Sequence, residues 1–152
     1  MGLIVLDAGV VIGLLDTIDV HHASCRAALR SAEDSGERLA LPAPALAEVL
    51  IGPLRRGDPA TVNGFLDGAA VSILPTDETV ARQAAALRAA SNIRLPDALI
   101  VATAIAVQAD RLLTTDAKWP AVVTAQFSGT IQVLGREVSG GDAPTRRSRR
   151  RG

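Results

Sequence analysis

The sequence is poor in the residues that mark several common kinds of protein. Its single cysteine, Cys25, cannot form an internal disulfide, which removes small disulfide-stapled scaffolds and cysteine-rich zinc modules. The two histidines, His21 and His22, are neighbours in sequence, a poor start for a histidine-based metal site. Aromatic residues are limited to Phe65, Trp119 and Phe127, with no tyrosine, so a platform for stacking nucleic-acid bases has almost nothing to be built from. Long apolar runs are missing too: Met1 to Leu6 is apolar but ends at Asp7 and lacks the basic flank of a signal peptide. Leu6 also stands where an N-myristoylation motif wants Ser or Thr. The expectation is a soluble, cytoplasmic protein with no membrane partner.

Net charge is also lacking, because 16 basic and 16 acidic residues cancel. The cancellation conceals an asymmetry. Residues 136–152 hold six arginines against Glu137 and Asp142, so a body of net −4 carries a tail of +4. Gly140, Gly141 and Pro144 lead into Arg146, Arg147, Arg149, Arg150 and Arg151, a run with no apolar partners and no period, which reads as a disordered tail. Its functional use would be non-specific attraction to the phosphates of a polyanion. The remaining residues, 1–135, are one domain's worth of chain, and at 48% hydrophobic overall the sequence can close a real core.

Five short apolar runs recur: Leu3 to Leu6, Arg38 to Leu41, Val71 to Leu74, Arg111 to Thr114 and Ile131 to Leu134. Between them lie segments of helical character: Val10 to Leu15, His22 to Ala32, Ala43 to Leu54, Thr61 to Ala69, Asp77 to Ala90 and Pro96 to Gln108. Strands alternating with helices predict an α/β domain on a mainly parallel sheet. Thr76 is a candidate N-cap for the fifth helix, and the last is apolar on nearly every face, as expected of a helix buried against the sheet.

In such a sheet, ligands gather at the carboxyl ends of the strands. Asp7 follows the first strand and Asp116 the fourth. Glu48 lies among small apolar residues, with no lysine or arginine three or four positions away, and Asp97 opens the apolar helix after Pro96. Each acid has an ordinary explanation. Asp7 can cap the helix that follows it, Asp97 can complement a helix dipole, Asp116 can form an Asx turn, and Glu48 can be a solvated surface group. If they converge, however, four carboxylates cannot all stay ionised within a few ångströms without a cation. Oxygen ligands without His or Cys favour Mg²⁺ or Mn²⁺, which suits phosphodiester chemistry. His21 and His22 read as helix-start and surface residues, Cys25 as a small core residue, and Trp119 as packing beside the site.

The pattern resembles the PIN-domain family of metal-dependent ribonucleases and, within it, the VapC-type toxins of bacterial toxin–antitoxin pairs. The stretch Arg94-Leu-Pro-Asp-Ala-Leu-Ile-Val-Ala-Thr-Ala104 is similar to the family's third-acid helix. Val5-Leu-Asp-Ala-Gly-Val-Val-Ile12 is similar to its first-acid strand and turn, Ala47-Glu-Val49 to the second-acid helix, and Leu112-Leu-Thr-Thr-Asp116 to the fourth-acid strand. The resemblance spans residues 3 to 134. It implies a three-layer α/β/α sandwich with a five-stranded parallel sheet, Mg²⁺ or Mn²⁺ held by Asp7, Glu48, Asp97 and Asp116 as metal-binding and catalytic acids, and cleavage of RNA by an activated water. It further implies that Thr114 helps orient the site, that the chain pairs with a second copy, and that a cognate antitoxin lays a segment into the acidic pocket. One position departs from the pattern: relatives usually carry Ser, Thr or Asn two residues after the first aspartate, where this chain has Gly9.

Other classes stay open at this point. A haloacid-dehalogenase-like phosphatase wants a second aspartate at position 9, and a receiver-type phosphoacceptor wants paired acids near Asp7; neither is present. A non-catalytic PIN-like module that binds RNA or a protein is the remaining alternative.

Overall fold

A computed structural model describes residues 2–135; the expected tail, with Arg146, Arg147, Arg149, Arg150 and Arg151, lies outside the described residues. The chain runs β1 (Leu3–Leu6), α1 (Ala8–Leu15), α2 (His22–Asp34), β2 (Arg38–Pro42), α3 (Ala43–Arg56) and α4 (Ala60–Gly68). It continues with β3 (Ser72–Leu74), α5 (Glu78–Ala90), α6 (Leu95–Ala106), β4 (Arg111–Thr114), α7 (Ala121–Gln126) and β5 (Thr130–Val133).

The five strands form one parallel sheet in the order β3-β2-β1-β4-β5. Central β1 pairs Val5 with Ala40 on one side and with Leu112 on the other. Ile4, Val5, Leu6, Leu41, Leu112 and Leu113 are fully or almost fully buried, the short continuous apolar runs of strands covered on both faces. From β1 the chain winds outward through β2 to β3, then crosses back to β4 and β5. Right-handed crossovers in opposite directions place α1–α4 on one face and α5–α7 on the other, giving three layers. The change of direction falls between β1 and β4, and a crevice opens there at the carboxyl edge.

Local chemistry explains the helix limits near that edge. Pro44 in the first turn of α3 supplies a preset φ, and Gly57 ends the helix in the left-handed region at φ 72°. In α6, Pro96 stands in the first turn, and Ala98, Ile100, Val101, Ala102, Thr103 and Ala104 are buried, as the apolar sequence predicts. Three local expectations change. The cap of α5 is Asp77 rather than Thr76, because its carboxylate accepts a 2.9 Å hydrogen bond from the Val80 amide. The helix α7 has no counterpart in the sequence reading; it is six residues long and rich in β-branched side chains, too short to show a period, and it forms after Pro120 with Val123 in the core. Strands β3 and β5 begin one residue away from the expected starts, at Ser72 and Thr130.

Candidate active site

All four acids lie at the carboxyl edge. Asp7 is the first residue beyond β1, and its amide donates to the Leu113 carbonyl at 2.9 Å, so its backbone continues the β1–β4 ladder. One carboxylate oxygen accepts from the Ala8 amide at 2.8 Å and caps α1; the other accepts from the Thr114 hydroxyl at 2.9 Å. Capping and site-building are therefore the work of one buried side chain. The same Thr114 hydroxyl accepts the Asp116 amide at 3.1 Å, so Thr114, itself wholly buried, ties the first acid to the loop that carries the fourth.

Asp116 forms the expected Asx turn, accepting the Lys118 amide at 2.9 Å, and its carbonyl accepts the Trp119 indole N–H at 2.8 Å. Trp119 packs partly against the core, in line with its sequence reading, and also walls the crevice beside Asp97 and Asp116. Asp97 stands in the first turn of α6, half-buried. Glu48, in the second turn of α3, is exposed but faces the crevice. It lines one cavity with Asp16 and Arg56 and a second with Arg94 and Asp97. Among the described residues, neither Asp97 nor Glu48 has a hydrogen-bond or ion-pair partner.

The carboxylates feel one another. Burial pushes the Asp7 carboxyl above its ordinary range; hydrogen bonds from Thr114 and Ala8 oppose this, while Glu48 and Asp116 push it further up. Burial likewise raises Asp97, with Asp7 and Asp116 adding repulsion and Arg94 drawing it down. All four acids thus share one electrostatic field. They do not share one shell: among the described residues no three His, Cys, Asp or Glu side chains are gathered into a ready-made ligand set. An all-oxygen donor set in which Asp97 and Glu48 have no partner among the described residues fits a hard divalent cation that keeps several water ligands, as Mg²⁺ does.

The basic rim was not found from sequence. Arg56 leans back along α3 over Gly52, with Nη1 3.2 Å from where a Cβ on that glycine would lie. Arg94, Lys118 and Asn92 line a cavity of about 230 Å³ with Asp97 and Asp116. Arg94 lies three residues before Asp97 and Lys118 two after Asp116, so proximity to a candidate acid was the available signal. The helix-start reading of His21 and His22 holds, but the surface reading does not: both are half-buried, and His22 Nδ1 lies 2.7 Å from the Gly13 carbonyl. Cys25 is a fully buried core residue, as expected.

The sequence model of the PIN domain matches residues 4–124. This chain belongs to the PIN domain family. No curated protein matches the sequence. Among solved structures, this PIN domain is similar to VapBC2 from Rickettsia felis, bound to a DNA fragment from its promoter, with a TM-score of 0.67 and 17% identity over 88% of this chain and 99% of that one. It is also similar to a toxin–antitoxin complex from Klebsiella pneumoniae, with a TM-score of 0.65 and 21% identity over 87% and 97%. A third, the sarcin–ricin-loop-cleaving toxin VapC20 from Mycobacterium tuberculosis, has a TM-score of 0.56 and 16% identity over 80% and 93%. These likenesses establish the fold: a PIN-type α/β domain with a five-stranded parallel sheet. Among the described residues no helix is long and apolar enough to cross a membrane.

Proposed function

We propose that this PIN-domain protein is a metal-dependent endoribonuclease, the toxin of a type II toxin–antitoxin pair. The observation that carries the reading is the gathering of Asp7, Glu48, Asp97 and Asp116 from four separate segments: Thr114 links Asp7 to Asp116, and Asp97 lines one cavity with Glu48 and another with Asp116. A structural use needs no such convergence of carboxylates. Asp7, Asp97 and Asp116, with Glu48, are the residues that would hold Mg²⁺ or Mn²⁺. When bound, the cation offsets negative charge on the phosphodiester and makes an attacking water more acidic. Thr114 fixes the relative positions of Asp7 and Asp116 through its two hydrogen bonds. In this reading Glu48, exposed and unpaired, takes up a proton from a water in the crevice. Arg56, Arg94 and Lys118 at the rim supply positive charge for the flanking phosphates, which a body of net −4 otherwise repels. The tail arginines add salt-sensitive affinity of the same kind.

The antitoxin is the partner this reading requires, and similarity to toxin–antitoxin complexes supports it. Ile51 and Leu95, roughly half exposed and lining a cavity with Glu48 and Asp97, offer apolar anchorage, and the carboxylates offer a socket for an arginine. Pairing with a second copy of the chain belongs to the same reading.

The test is incubation of total bacterial RNA with the purified protein in Mg²⁺, Mn²⁺ or EDTA, beside Asp97→Asn prepared identically. Discrete fragments that require metal and disappear in the variant are the expected result. A folded wild-type protein as inert as the variant in both metals overturns the nuclease reading and favours the non-catalytic binding module.

A further inference from the structure

Position 9, two residues after Asp7 in the first turn of α1, carries no side chain. The space a side chain would take there is filled by Thr115. A Cβ built on Gly9 overlaps Thr115 Oγ1, whereas Thr115 Cβ would lie 3.5 Å away, an ordinary contact. Only the hydroxyl conflicts, so the glycine at 9 and the hydroxyl at 115 are mutually dependent features of one small volume.

Thr115 sits between Thr114, whose hydroxyl holds Asp7, and Asp116. It is half-buried, and among the described residues its hydroxyl has no hydrogen-bond partner. A hydroxyl held over the start of α1, next in sequence to Asp116 and left without a protein partner among the described residues, is a free donor and acceptor beside the candidate site. The cation that fits these acids keeps water ligands, and each needs hydrogen-bond partners to be held in one orientation.

Resting on the nuclease reading above, we infer that Thr115 is a positioning residue: its hydroxyl holds a water of the cation's hydration shell, and Gly9 is the vacancy that admits it. The dependence is reciprocal. A hydroxyl at position 9 and none at 115 would fill the same volume with the same chemistry.

The experiment measures Mn²⁺ binding by titration calorimetry, with cleavage kinetics alongside, for wild type, Asp97→Asn, Thr115→Val, Thr115→Ser and the double variant Gly9→Ser/Thr115→Ala. Circular dichroism confirms that each is folded. Thr115→Val is expected to weaken Mn²⁺ binding about tenfold and to lower kcat more than it alters KM, since an outer-shell partner of a metal site contributes on the order of 10- to 100-fold. Thr115→Ser is expected to stay near wild type, and the double variant to recover most of the loss. Wild-type affinity in Thr115→Val overturns the inference, as does a Thr115→Ser defect equal to that of valine, which would point to methyl packing. The two readings separate cleanly. If wild type binds Mn²⁺, Asp97→Asn does not and Thr115→Val matches wild type, only the role of Thr115 falls; if wild type binds no Mn²⁺, both fall together.

Discussion

The two edges of the sheet carry the same kind of residue and use it in opposite ways. At the amino edge, Asp110 accepts the Leu3 amide at 2.7 Å, and Glu37 pairs with Arg111, whose other terminal nitrogen donates to Gln132 at 2.9 Å. Asp110 and Glu37 each have a partner, and the contacts tie β1, β4 and β5 to the segment leading into β2. At the carboxyl edge, Asp97 and Glu48 have no partner among the described residues, and Asp7 is held where burial and its neighbours raise its pKa. Paired acids stabilise the fold; acids gathered without pairing keep their charge for a ligand. The contrast favours the carboxyl end of the sheet as the proposed site.

Removing one charge from each edge gives the largest expected difference. Asp116→Asn should lower metal-dependent RNA cleavage by roughly 10²- to 10³-fold with little loss of stability, in line with the loss of one electrostatic or proton-transfer group. Arg111→Met should leave cleavage within about twofold while lowering stability by about 1 kcal/mol, because Glu37 loses its half-buried partner. Paired cleavage assays and urea melts check both. An Arg111→Met protein that folds well yet cannot cleave RNA would dissolve the distinction between the edges.

Thr114→Val sharpens the comparison inside the carboxyl edge. It keeps the shape but strands Asp7 and the Asp116 amide, and cleavage should fall about 10- to 100-fold, with about 1–2 kcal/mol lost on denaturation. A loss of stability with unaltered cleavage would make Thr114 a core residue only.

The smallest effect concerns Asp97 in the absence of metal. Burial, then repulsion from Asp7 and Asp116, raise its pKa in the folded state against the opposing pull of Arg94. An acid with a raised folded pKa favours folding below its unfolded value, near about 4, and that contribution is lost as pH rises through the folded value. In EDTA at about pH 7.5, Asp97→Asn should therefore melt above wild type; the gap should narrow toward about pH 4, and saturating Mg²⁺ should stabilise wild type more than the variant. A wild type that melts higher in EDTA at the upper pH contradicts the account.

Much of this was legible in the chain because it is local. Runs such as Leu3–Leu6 and Arg111–Thr114 bury both faces of a strand, so continuous apolarity marks them, and the apolar segment of α6 can only be a buried helix. Asp77 as a cap and α7 as a helix were missed because adjacent Thr and Asp offer equivalent caps, and six residues complete too few turns to show a period. For the site, sequence could rank Asp7, Glu48, Asp97 and Asp116 by unusual surroundings but could not bring them together. Arg56 and Arg94 join the site only through the packing of α3 against its neighbouring helices.

The sequence by itself determined the alternation of strands and helices, the apolar core and the four acids' places just past strands or within adjoining helices, since each follows from neighbours a few residues apart. Only the tertiary structure decided that those acids act on one another, that Thr114 joins two of them, and that the hydroxyl of Thr115 fills the space left by Gly9. The contacts of Thr114 with Asp7 and of Thr115 with Gly9 link positions about a hundred residues apart in the chain, and the parallel pairing of β1 with β4 sets them.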